Sequence, residues 1–273
     1  MGQHTWGAVM EPPAPPPEKP AKSAGDHIRT TLRGIGQTLI TGGLVVLLFV
    51  VYEVYVTTWF THREQTKLKH EITKEYAAGI DPLLQLPDGS YPNLKLGEGI
   101  GNILIPRLGR DFDWAIVEGS SDSQLDKGPG HYVGTALPGE VGNFAVAGHR
   151  VGKGEPFLNL DHLKPGDTVI VETEKAWFVY KVKGLDNNSI SKKDDDGIPG
   201  REIVSSDDGG PLYPVPDHPG LAPTEKLITL TTCHPKFSAS HRMIVYGVLA
   251  QKIPQTADFS MPETVKALYG QVS

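Results

Sequence analysis

The chain has 273 residues, enough for one or two domains, and 38% of them are hydrophobic and 8% aromatic. A net charge of −6 excludes the strongly basic footprint of a nucleic-acid binder. The single cysteine, Cys233, excludes an internal disulfide and a Cys-rich zinc cluster, and 31 glycines with 23 prolines argue for turns and short strands over a helical bundle.

Residues 1–33 open with the Pro-rich run Glu11–Pro20, which cannot bury a core and reads as an extended spacer, or as a ligand for a Pro-binding partner. From Gly34 to Tyr52 there are 19 consecutive uncharged residues. As a helix that run is about 28 Å long, close to the hydrocarbon core of a bilayer. Tyr52, Tyr55, Trp59 and Phe60 follow, as an aromatic belt would. The run stands behind a 33-residue polar tail and lacks an Ala-x-Ala site after it, which favours a retained anchor over 34–56 rather than a cleaved signal peptide. Four basic residues precede the span and four follow it closely, so charge alone does not orient it.

Residues 63–76 are charged and free of Gly and Pro, and within a 57–95 linker they predict an exposed helical stalk. Short apolar runs between turns come next. Strands are expected at Ile100–Leu108, Trp114–Val117, Asn143–Ala147, Thr168–Glu172, Ala176–Val182, Leu227–Thr232 and Met243–Leu249. Phe157–Leu163 is expected to form a short helical crossover. Together they suit a single all-β barrel or sandwich over 96–253, followed by a tail at 254–273. Asn187–Pro223 is expected as a long loop. Its consecutive aspartates, Asp194–Asp196, lack the alternating spacing of a calcium loop, so no metal is expected there.

Cys233 ends the strand-like run Lys226–Cys233, where a barrel rim opens to solvent. That place suits a nucleophile, although a buried, inert thiol is the ordinary alternative. A nucleophilic thiol needs a proton acceptor and a group that stabilises the developing oxyanion. His149 also follows an apolar strand, Phe144–Gly148, at its end. His234 adjoins Cys233, but adjacent strand residues point to opposite faces. Arg242 stands nine residues after Cys233, a spacing that lets a tight connection bring it back beside the thiol on a neighbouring strand.

Thr229-Leu-Thr-Thr-Cys233 with Arg242 resembles the TLxTC…R signature of sortases, and Gly148-His-Arg150 resembles that family's catalytic-histidine segment. His131–Glu140, Val141–Arg150 and Thr232–Pro235 are most similar to class E sortases of high-GC Gram-positive bacteria. The resemblance implies an eight-stranded β-barrel and no cofactor. It casts Cys233 as nucleophile, His149 as general acid/base and Arg242 as stabiliser of substrate and oxyanion, with Thr232 and Tyr132 contacting substrate. It further implies cleavage of an LAxTG- or LPxTG-like sorting signal on surface proteins, and transfer to an amine of a peptidoglycan precursor. The chain would then be a single-pass membrane protein with a cytoplasmic N-terminus and the barrel outside. Asp81-Pro82 resembles the lid motif of pilin-polymerising sortases, but Leu83 stands where an aromatic should follow. A non-catalytic surface-binding module and a hydrolytic cysteine peptidase are the competing readings.

Overall fold

A computed structural model describes residues 24–185, 191 and 197–270. The Pro-rich Glu11–Pro20 run and the Asp194–Asp196 run lie outside the described residues. The chain divides into two units, residues 1–50 and 51–273.

In the first unit, helix α1 (Ala24–Val51) carries the expected apolar run. Its segment His27–Val51 is long and apolar enough to cross a membrane and is not buried inside the protein. The helix thus begins ten residues before the expected 34 and ends at Val51, where a π-helical turn, Tyr52–Val56, takes over.

The second unit begins with that turn and continues with helix α2 (Thr57–Ala77). Strands β1 (Gly99–Leu104) and β2 (Asp113–Glu118) follow, then the one-turn helix α3 (Asp122–Leu125), β3 (Gly130–His131) and β4 (Gly142–Ala147). Then come β5 (Thr168–Glu172), β6 (Ala176–Val182), β7 (Arg201–Ser205), β8 (Lys226–His234), β9 (His241–Pro254) and helix α4 (Glu263–Tyr269). The sheet runs β6-β5-β1-β2-β3-β4-β8-β9-β7, and β6 also pairs with β9. That extra pairing closes eight strands into a barrel, and β7 pairs with β9 over His241–Val245, on the edge that β6 takes from Gly247 onward.

Alternation along the strands sorts side chains into two layers. Phe144 and Val146 of β4, Ile228 and Leu230 of β8, and Met243 and Val245 of β9 enter the main core with Tyr180 and Phe157. Leu227, Ile244 and Tyr246 point the other way and pack with Ile198. Strand β4 is buried along its whole length, as a strand flanked on both edges and covered on both faces must be.

Five expectations are corrected. The run 100–108 breaks after Leu104, because Pro106 has no amide to offer the ladder and starts a 3-10 turn, Pro106–Leu108. The Phe157–Leu163 crossover reduces to a 3-10 turn at Leu160–His162. The Asn187–Pro223 loop contains β7, paired antiparallel with β9 from Arg201 to Ser205. Residues 63–76 are helical, but the helix is exposed on one side only. Thr61, Gln65, Leu68, Ile72 and Tyr76 share one face, and Leu68, Ile72 and Tyr76 pack on Ala115 and Val117 of β2. Burying each such apolar side chain stabilises the contact by about 1.5–3 kcal/mol, so α2 belongs to the barrel. The 254–273 tail likewise holds α4, whose Val265 is buried against Leu104, Ile170 and Trp177.

Candidate active site

Two sheet registers assemble the site. Strands β4 and β8 run parallel, ending at the pair Ala147↔Thr231, and the ladder continues through Gly148 N–H donating to Thr231 O at 3.0 Å. Counting two residues on from that pair puts His149 and Cys233 just past the end of this ladder. On the other side, β8 and β9 are antiparallel and Cys233 pairs directly with Arg242. Directly opposed residues share a face with their Cβ atoms about 5 Å apart. Since Ile228 and Leu230 face the core, the odd-numbered row Thr229, Thr231, Cys233 faces outward, and His149 and Arg242 join it there. The three residues singled out in the sequence therefore converge on one outer face of the barrel.

Glycine at 148 is a packing requirement. A Cβ there would come within 2.5 Å of the Phe157 ring, which is wholly buried in the core. Phe157 N–H also donates to His149 O at 3.0 Å, so the segment leaving β4 turns tightly around that ring.

Cys233 is partly exposed and its thiol is free. Arg242 is partly exposed too, and its Nη1 donates to the turn carbonyls of Ala239 (3.0 Å) and His241 (3.1 Å). The His149 side chain retains 22% exposure. Burial and the nearby Lys153 ammonium hold its imidazole below the ordinary histidine value, against the opposing pull of Asp126 and Asp122.

Tyr132 follows β3, and its hydroxyl is 2.9 Å from Thr231 Oγ1, two residues before Cys233 in the same row. Beneath it, buried His131 meets Glu118 through Nδ1 at 2.6 Å and Thr135 Oγ1 through Nε2 at 2.9 Å. Asn143 holds a further wall. Its amide donates to the carbonyls of Pro211 (2.9 Å) and Tyr213 (3.0 Å), tying the segment after β7 to β4, and its oxygen accepts from Thr229 at 2.6 Å.

Thr232, expected to touch substrate, is placed differently. It is even-numbered, so it points to the core side, with 2% exposure, and its hydroxyl donates to Gly148 O at 2.8 Å. It ties the segment of His149 to the strand of Cys233 from behind. His234 shares that side and accepts from Arg150 Nη1 at 2.7 Å through Nδ1. Arg150, buried, also reaches Cys233 O at 3.4 Å and Asp161 Oδ1 at 3.1 Å. Sequence reasoning treated Arg150 only as part of a motif and missed Asn143 altogether. A polar residue inside an unbroken apolar run was the available signal for Asn143.

Comparison with known proteins agrees with this geometry. The Sortase domain family matches residues 103–250. Sortase SrtE1 of Streptomyces coelicolor is 35% identical over 231 residues, 82% of this chain, and the chain spans 58% of that relative's length. Among solved structures, the SrtF sortase from Corynebacterium diphtheriae aligns with a TM-score of 0.58 at 35% identity, covering 67% of this chain and 99% of that one. Sortase E1 from Streptomyces coelicolor, solved with a tripeptide in the active site, aligns at 0.50 and 35% identity, covering 62% and 97%. With a family match across more than half its length, laid over a closed barrel whose Cys, His and Arg share one rim, this chain belongs to the sortase family and is similar to its class E members.

Proposed function

We propose that the chain is a membrane-anchored cysteine transpeptidase that joins surface proteins to a cell-wall amine. The observation that carries this reading is the convergence of Cys233, His149 and Arg242 on one outward face, at the ends of three adjacent strands. A peptide laid along that face meets a thiol, an imidazole and a guanidinium together. The tripeptide held in the active site of the Streptomyces coelicolor relative supports a peptide as substrate.

In the first half-reaction the Cys233 thiolate attacks the Thr–Gly carbonyl of an LAxTG- or LPxTG-like signal. Arg242 releases its turn carbonyls and donates to the oxyanion and to the peptide. As the C–N bond breaks, His149 gives its proton to the leaving glycine amine, and the threonine carbonyl stays on sulfur as a thioester. In the second half the amine of a peptidoglycan precursor attacks the thioester. His149 takes the amine's proton, and the thiolate leaves as the new amide bond forms. No cofactor enters either half. The apolar segment His27–Val51 would fix the enzyme in a single pass beside substrates that are still in the membrane, with the barrel outside.

The test is mass spectrometry of an LAxTG peptide incubated with the full chain in detergent, with and without a glycine-like amine or hydroxylamine. The expected result is slow cleavage between Thr and Gly without amine, diversion to amide or hydroxamate with it, and neither product from Cys233→Ala. Hydrolysis indifferent to added amine would make the protein a peptidase. No acyl adduct on Cys233 with any such peptide would make it a binding module.

A further inference from the structure

The imidazole of His149 is set asymmetrically. Its Nε2 is enclosed and has no hydrogen-bond partner among the described residues, and it faces Asp126 Oδ1 at 3.9 Å. Asp126 follows α3 directly, and the same carboxylate oxygen pairs with Lys153 on the loop that carries His149. Asp122 of α3 adds a second negative charge at longer range. On the neighbouring strands stand Cys233 on β8 and, one strand further, Arg242 on β9.

Both halves of this contact are registered on α2. Thr61 Oγ1 donates to Asp126 O at 2.9 Å, and Gln65 Nε2 donates to Lys127 O at 2.7 Å. Gln65 is itself locked onto β2, giving Nε2–H to Ala115 O at 3.0 Å and accepting Ala115 N–H at 2.7 Å. On the loop side, Gly154 adopts φ +76°, and a Cβ there would lie 2.6 Å from the Trp114 ring and 3.0 Å from Thr61. A segment that fits only as glycine against a helix and an indole has little freedom to drift.

We propose that Asp126 is a positioning residue for the His149 imidazole, accepting the proton of Nε2–H and so leaving Nδ1 as the edge that exchanges protons with substrate, while α2 holds Asp126 in place. A carboxylate beside one ring nitrogen fixes both the tautomer and the ring plane. The gap closes when either side chain turns by a fraction of its length, and the draw is strongest when the ring is protonated. Lys153 shares the carboxylate and works against it. Asp126 raises the imidazole's proton affinity and Lys153 lowers it. The role of this contact in turnover rests on His149 being the general acid/base.

The experiment follows the His149 ring by NMR titration in the full chain in detergent, alongside the pH profile of transpeptidation. The variants are Asp126→Asn, Asp126→Glu and Lys153→Met. Asp126→Asn keeps the backbone carbonyl that Thr61 needs, so the fold is preserved. The expected results are a lower His149 midpoint in Asp126→Asn and a higher one in Lys153→Met. In Asp126→Asn kcat should fall about tenfold or more with KM unchanged, the scale known for partners that orient a functional histidine. Asp126→Glu should recover part of the loss. An Asp126→Asn protein with the wild-type midpoint would overturn the proposal, and so would a shifted midpoint with wild-type kcat. If His149→Ala instead retained transpeptidation, the general-acid reading would fall, while the midpoints would still decide whether Asp126 holds the ring.

Discussion

Two arginines bracket the end of β8, and they show opposite uses of the same side chain. Arg150 is 4% exposed, and its guanidinium spans Asp161, the His234 ring and the Cys233 carbonyl. Arg242 stands on the outer side, partly exposed, and among the described residues its guanidinium holds the carbonyls of Ala239 and of its neighbour His241. Stripping partners from a buried cation leaves a charge in a poor solvent, so Arg150 is a fixture of the scaffold. Bonds to exposed carbonyls exchange for water or substrate oxygens at little net cost, so Arg242 is free to change partners. Cys233 thus sits between a guanidinium fixed in the scaffold and one free to exchange partners.

Exchanging the fates of the two arginines is the sharpest way to break this contrast. Arg150→Met should destabilise the fold by about 3 kcal/mol, at the low end for a broken buried pair because Asp161 is partly exposed. Urea unfolding reads that loss. Arg242→Lys should leave the unfolding midpoint alone yet lower turnover about 10²-fold, since an ammonium cannot present the guanidinium's fixed pair of donors. A stable Arg150→Met or an unstable Arg242→Lys would erase the distinction.

A smaller effect sharpens it further. Thr232→Val removes one buried donor behind the site and should cost about 1 kcal/mol of stability. It should lower kcat by loosening the His149 segment and leave the peptide KM unchanged. A change confined to KM would return Thr232 to the role of substrate contact.

The gentlest probe is pH. Burial first, then a neighbouring cation (Lys153 for His149, Arg150 for His234), holds both imidazoles below 6.5 in the folded chain. The unfolded chain binds those protons more readily as pH falls through that value, so their contribution to stability is full above about 6.5 and lost below it. Thermal melts between pH 7 and 5 should show the decline. His234→Gln should flatten part of it, because the neutral ring accepts from Arg150 whereas a protonated one would face that cation unpaired.

The fold was legible where burial acts on every residue of a strand. Thr168–Glu172 and Ala176–Val182 form at the residues expected from their apolar runs. Strand β7 was not legible, since Arg201–Ser205 is mostly half-exposed and polar and owes its pairing to β9. In α2, the charges on the outer face masked the Leu68, Ile72, Tyr76 seam, although its spacing is helical. Cys233, His149 and Arg242 could be found because each stands at the end of an apolar strand. The alternation that turns His234 away from Cys233 also turns Thr232 away, and the motif resemblance had overridden that rule. Asp126 left no trace in the sequence, because its place opposite His149 depends on how α2 holds the end of α3.

The parallel ladder between β4 and β8 carries one more consequence, for chain length rather than chemistry. His149 faces outward and Arg150 faces the core only because the count from the pair Ala147↔Thr231 is fixed. One residue inserted between Ala147 and His149 would carry the imidazole toward the core side and break the pairings of both side chains, with no residue lost. The same insertion in the exposed turn at Asp207–Gly209, beyond β7 and ahead of the carbonyls that Asn143 grips, would lengthen a connection that crosses no ladder. Insertions and deletions therefore have no room in the three residues that leave β4, whereas the turn after β7 is where the chain can change length.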